Sequence, residues 1–182
     1  MPADDITSGP SPSHSWSTED LGTALSEILD HVDEAGWGQS ASVFALVPTA
    51  VLAEQAPHLV GAEPTVFTPV EQDCPNLDDF LVSAFWPEPV AGAAVAIEIV
   101  IAEPGPDDDG TPRYVQPGSG TSSAGGQQAR LVVGVLRNGR DLAIMRLREQ
   151  QGDEPETLTH PKLATELREA LAGTFAPDEP GA

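Results

Sequence analysis

The stretch ARLVVGVLRNGRDLAIMRLRE, residues 129–149, decides the fold. Two apolar runs flank Asn138 and Gly139, a pair that accepts the positive φ angles of a type I′ turn, so the stretch reads as a β-hairpin. A two-residue turn there sets Arg137 opposite Arg140, Val135 opposite Leu142, Val133 opposite Ile144 and Leu131 opposite Arg146. The other face then pairs Leu136, Gly134, Val132 and Arg130 with Asp141, Ala143, Met145 and Leu147. Both faces are apolar in the middle. A hairpin with one wet face alternates apolar and polar residues, so this one is expected at the centre of a sheet, covered on both sides by helices or by a second subunit of a homodimer.

Upstream, FWPEPVAGAAVAIEIVI (85–101) sets an aromatic pair and two prolines against an apolar run. Pro87 and Pro89 lack an N–H and disfavour helix in the residue before them, so WPEP stops one element and turns the chain into extended form. Alternation follows. Val95, Ile97, Ile99 and Ile101 share one face of a strand; Ala94, Ala96, Glu98 and Val100 share the other, whose small residues let another element approach closely. ASVFALV (41–47) reads as a strand, TAVLAEQ (49–55) as a short helix, TVFTPVEQ (65–72) as an edge strand because of Pro69, and NLDDFLVSAF as a helix capped by Asn76.

Near the N-terminus, Leu21, Leu25, Ile28, Leu29 and Val32 recur at helical spacing behind Ser17 or Thr18 as N-cap, with Gly36 at the far end. The outer face of this helix is Glu19, Glu27, Asp30, Asp33 and Glu34. A last helix is expected over 161–174, carrying Leu163, Leu167 and Leu171 with Thr159 or His160 as its cap. The whole reads as a single α+β domain over 17–175, a mostly antiparallel sheet with a C-terminal hairpin, flanked by helices. Residues 1–16 and 176–182 read as disordered tails, and the Pro-, Gly-, Ser- and Asp-rich stretch 103–128 as a mobile insertion.

The 182 residues carry a net charge of −21, unevenly spread: residues 1–112 hold 20 Asp or Glu and no Lys or Arg, while 113–182 hold 9 acids and all 8 bases. Binding to nucleic acid or to an anionic membrane is excluded as a leading reading, since such partners are held chiefly by Lys and Arg. A positively charged partner or a cation is the natural complement, weighed against a charge that serves only to keep the protein soluble. Cys74 is the only cysteine, which rules out an intrachain disulfide and fits a reducing compartment. No run reaches the roughly 18 apolar residues of a membrane span, and MPADDITSGPSPSHS has neither a basic n-region nor an apolar h-region, so the expected location is the cytoplasm.

No reaction is named by a motif. A G-x-S-x-G elbow, a G-x-x-x-x-G-K-[ST] loop and an H-E-x-x-H helix are absent. GSGTSS from Gly118 has Ser123 where a dinucleotide fingerprint needs glycine, and DDDG at 107–110 lacks a calcium loop's first ligand and has Gln116 where its bidentate Glu belongs. His31 has Glu27, Asp30 and Glu34 at helical reach, but a solvated acidic face explains the same residues better than a metal site. No catalytic residue, metal or cofactor is expected. Arg137, Arg140, Arg146 and Arg148 on the hairpin are candidate anion contacts, weighed against pairing with the acidic first segment, with Glu98 a partner for an arginine on its face. Trp37, Phe85 and Trp86 are the aromatics that resemble interface anchors, with core packing the competing role. The candidate partner surface is Asp30, Asp33, Glu34, Trp37 and Trp86.

The set AGW, VFALVPTAVL, FTPVEQD, FWPEPVAGAAVAIEIV and LVVGVLRNGRDLAIMRLR, in this order from Leu21 to Phe175, resembles a family of small, acidic, single-domain actinobacterial proteins without assigned function. The resemblance implies a single-domain cytosolic protein and supplies no substrate, cofactor or catalytic residue. The order of elements also looks like that of the small acidic chaperones of bacterial secretion systems, which dimerise and bind partner segments. The reading that follows is a non-catalytic protein-binding, chaperone-like or adaptor module; the alternative is a small-molecule or anion-binding protein, or an enzyme, with its site near the hairpin arginines.

Overall fold

A computed structural model describes residues 16–60, 65–102, 113–115, 127–148, 157–159 and 163–175. Its helices are α1 Thr18–Glu34, α2 Thr49–Gln55, α3 Leu77–Ser83 and α4 Thr165–Gly173; its strands are β1 Ser42–Pro48, β2 Phe67–Gln72, β3 Gly92–Ala102, β4 Arg113–Val115, β5 Gln127–Leu136, β6 Asp141–Leu147 and β7 Thr157–Thr159. The strands form one antiparallel sheet in the order β2-β1-β3-β5-β6-β7. β4 continues the β1 side of β3, pairing Val100 with Val115. This is a single α+β domain, and the hairpin β5–β6 lies inside its sheet as its two apolar faces require.

The hairpin register differs from the expected one. Val135 pairs with Asp141, Val133 with Ala143, Leu131 with Met145 and Arg130 with Arg146. The loop has three residues, not two: Gly139 N–H donates to Leu136 O (3.0 Å), Leu136 N–H donates to Arg140 O (2.8 Å), and Gly139 has φ +88°. A turn over Arg137 and Asn138 followed by a left-handed glycine is the other common hairpin solution. The slip of one residue moves every β6 side chain to the opposite face. Leu142 and Ile144 therefore join Val132 under α1, Arg146 stands beside Arg130, and Arg137 no longer faces Arg140.

α1 begins at Ser17, whose Oγ accepts from Asp20 N–H (3.0 Å) while the Asp20 carboxylate accepts from Ser17 N–H (2.9 Å), a reciprocal capping box. Its stripe of Leu21, Leu25, Ile28 and Leu29 is buried on the face of β3 and β5 that carries Ala94, Ala96 and Val132. A Cβ at Gly134 would stand 2.6 Å from a Leu25 methyl and 2.9 Å from one of Leu21, so glycine leaves these two side chains room that a larger residue would make them give up. Trp16, expected in a disordered tail, instead packs edge-on against Phe67 (5.5 Å) and accepts from the Asn138 side chain at its carbonyl (3.0 Å). Trp16, just before the N-cap, thus packs against the core that α1 covers and fixes the entry of the chain into the helix.

The opposite face, with Val95, Ile99, Leu131, Val133 and Met145, is covered by Leu163 just before α4, by α4 through Leu167 and Leu171, and by α3 with Trp86. Both faces are thus covered from within the chain. α4 is shorter at its start than expected: Ala164 precedes it at φ 55° with no side-chain cap, and Thr159 belongs to β7, pairing with Ile144 and donating its hydroxyl to Ala143 O (2.7 Å). Extending the sheet past β6 takes Thr159 out of the capping role. His160 lies outside the described residues. Of the insertion expected over 103–128, Arg113–Val115 form β4, and Gln127 and Gln128 open β5; the remainder, residues 1–15 and residues 176–182 lie outside the described residues.

Candidate partner-binding surface

Most arginines of the acidic-versus-basic imbalance are used inside the fold. Arg130 is 2% exposed. Glu98 stands opposite it on β3, and Arg130 Nη2 donates to Glu98 Oε1 (3.3 Å) and to Gly36 O (2.6 Å) while Nη1 pairs with Asp33. Its guanidinium also lies 4.5 Å over the Trp37 ring, a cation–π contact. Glu98 accepts backbone N–H groups of Gly38 (2.9 and 3.0 Å) and Gln39 (3.1 Å). Arg146, across the hairpin from Arg130, pairs with Asp30 (2.9 Å) and with the second oxygen of Asp33. Two adjacent guanidinium groups are tolerated because Asp33 bridges them. Burial works to lower the Arg146 pKa, but the hydrogen bonds and charges of Asp33 and Asp30 outweigh it and hold it above its usual value. The cluster clasps the C-terminal end of α1 and the following loop to the sheet.

The proposed acidic-helix surface is therefore divided. Asp30 and Glu34 are exposed, but Asp33 does not point outward as the helix register suggested: it is shared by two arginines. Trp37 is half-buried against Arg130 and also meets Arg148, 5.1 Å from its ring. The small-residue face of β3 is occupied by α1, so it offers nothing to a partner.

The hairpin arginines do not converge. Arg137 donates to the carbonyls of Val90 (2.6 Å), Trp86 (3.0 Å) and Pro87 (2.9 Å). Arg140 reaches the Thr18 hydroxyl (3.4 Å), and Arg148 bonds the Gln128 side chain at the other end of the hairpin. His31 lies edge-on to Phe44 at 6.2 Å. Two clefts lie beside it, one of about 150 Å³ with Glu71, Glu98 and Arg130 in its walls and an open one of about 370 Å³ lined by Glu27, Phe44, Pro69 and Glu71. The Cys74 thiol is pushed up by burial and then by the Asp73 charge, away from the thiolate that a nucleophile needs.

The segment FWPEP, residues 85–89, separates its two aromatics. Trp86 is 7% exposed: its Nε1–H donates to Thr174 Oγ1 (2.8 Å) and its ring stacks on Phe175 at 5.6 Å and 13°. Trp86, placed on the partner surface by sequence, is thus a core residue, because its polar N–H finds a partner on the far side of the chain. Phe85 beside it is 85% exposed, and Val82, three residues earlier in the last turn of α3, is 90% exposed. α3 turns Leu77, Phe80 and Leu81 toward the sheet, which leaves Asp78, Asp79 and Val82 on its outer face. Asp73 and Glu88 flank the helix, also exposed. Among the described residues none of these four carboxylates forms an ion pair.

Fold and surface together define an acidic α+β domain with helices on both faces of an antiparallel sheet and, over residues 73–88, exposed carboxylates interspersed with the exposed apolar Val82 and Phe85. A family model described as PPA1309-like protein matches residues 21–176, and the chain belongs to this family. No curated protein and no solved structure matches it. No helix among the described residues is long and apolar enough to cross a membrane.

Proposed function

We propose that this chain is a non-catalytic binding module that holds a basic protein partner through its acidic outer surface. The observation that carries the reading is the split among its carboxylates. Asp33 and Glu98 are absorbed by the arginine clasp, whereas Asp73, Asp78, Asp79 and Glu88 stand exposed on the same stretch of chain as two exposed apolar side chains and, among the described residues, form no ion pair. Such a surface speeds encounter with a positive partner and loses that advantage with salt, since charges more than about 8 Å apart are largely screened at physiological ionic strength.

The test is affinity capture from the native host on the immobilised chain, followed by association kinetics with the purified partner across a salt series. A basic protein whose association rate falls steeply with salt is expected. A salt-independent rate, or turnover found in a metabolite screen, would contradict the reading. The likeness to secretion chaperones rests on element order alone and adds no weight here.

A further inference from the structure

We infer that the docking point is the surface of α3 and the turn after it, Val82 and Phe85 within Asp73, Asp78, Asp79 and Glu88, and that its occupant is a protein segment presenting bulky apolar side chains among Lys or Arg. This rests on the binding-module reading and names its site. The exposure of Phe85 is built rather than incidental. On one side, α3 is capped by Asn76, whose Oδ1 accepts from Asp79 N–H (3.0 Å), and is seated by Phe80 against Trp86 at 5.8 Å. On the other side, Trp86 is buried, and the Arg137 guanidinium ties down the carbonyls of Trp86, Pro87 and Val90. The backbone is thus pinned at 86–90 while the Phe85 ring is left in water, so the backbone part of the cost of ordering an anchor here is already met by the fold.

The chemistry of the occupant follows from the rim. Val82 in the last turn of α3 and Phe85 on the extended segment after it, both exposed and apolar, match a partner segment that gathers its apolar side chains on one face. The four carboxylates select Lys or Arg beside them and reject acidic segments. A second copy of this chain is a poor fit, because it would set this acidic patch against another surface of a −21 molecule.

The experiment uses the full chain and a fluorescein-labelled peptide of Lys and Leu, with Leu at helical spacing, read by anisotropy. A control peptide carries Ser in place of Leu at the same charge. Phe85→Ser should weaken the Leu peptide by roughly tenfold and leave the control peptide unchanged, since one buried aromatic is worth about that factor. The double substitution Asp78→Asn and Asp79→Asn should weaken both peptides and flatten their salt dependence. All these positions are exposed, so the variants should remain folded, with an unchanged urea midpoint for Phe85→Ser and a slightly lower one for the double substitution, which takes two acids from the first turn of α3. Unchanged Leu-peptide binding to Phe85→Ser, with amide shifts confined to α1, would overturn this surface while the binding-module reading stood. Equal affinity of the chain for both peptides would overturn the apolar anchor. No binding of either peptide would overturn the surface and weaken the wider reading with it. Sedimentation showing a self-associating chain that Phe85→Ser converts to monomer would make the occupant a second copy and overturn the proposal.

Discussion

Arg130→Ala should cost the chain about 3–5 kcal/mol of stability, seen as a much lower urea midpoint. The guanidinium is buried, and removing it leaves Glu98 in the fold without its cation while the loop after α1 loses the bond to Gly36 O. Arg130→Met keeps most of the buried stem but not the charge, so it should lose nearly as much. Arg146→Ala should lose less, about 1 kcal/mol, because Asp30 is largely exposed and Asp33 keeps Arg130. A loss below about 1 kcal/mol for Arg130→Ala would mean that the clasp does not secure α1.

Neighbouring aromatics should behave as opposites. Trp86→Ala should destabilise by about 3–5 kcal/mol, since it empties a site packed by Phe80 and Phe175 and leaves the Thr174 hydroxyl without its donor. Phe85→Ala should stay within about 0.5 kcal/mol of the parent, because its ring makes little use of the fold. Paired denaturation curves decide this, and equal losses at the two positions would mean that the ring of Phe85 is part of the core.

The contrast shows where the sequence could be read and where it could not. The hairpin, its central place and its two covered faces follow from the length of the apolar runs and the Asn-Gly pair. Its register does not, because a strand apolar on both faces has no pattern to penalise a slip of one residue, and Asn138-Gly139 suits either loop length. What settles the register lies elsewhere in the chain: Arg146 must stand on the α1 side to meet Asp30 and Asp33. The alternation in β3 correctly marked Ala94 and Ala96 as a close-approach face, but not that α1 was the element approaching it.

The candidate site was less legible for a similar reason. WPEP has no period, so nothing local says which of Phe85 and Trp86 turns inward; Thr174, some ninety residues later, decides it. Val82 carried a weak signal, since it falls out of the Leu77, Phe80, Leu81 stripe that faces the sheet. Asp33 also carried one: it lies four residues after buried Leu29, at the flank of the helix rather than on its outer face. Arg130 gave more away, as an arginine in an apolar strand requires a buried carboxylate, and Glu98 was the acid on the matching face.

Amide hydrogen exchange with and without the Lys and Leu peptide tests the central claim most directly. The account predicts added protection over residues 77–90, in α3 and the turn that carries Phe85, with the amides of α1 unchanged. Added protection along α1 instead, or at neither place while the peptide is demonstrably bound, would contradict it.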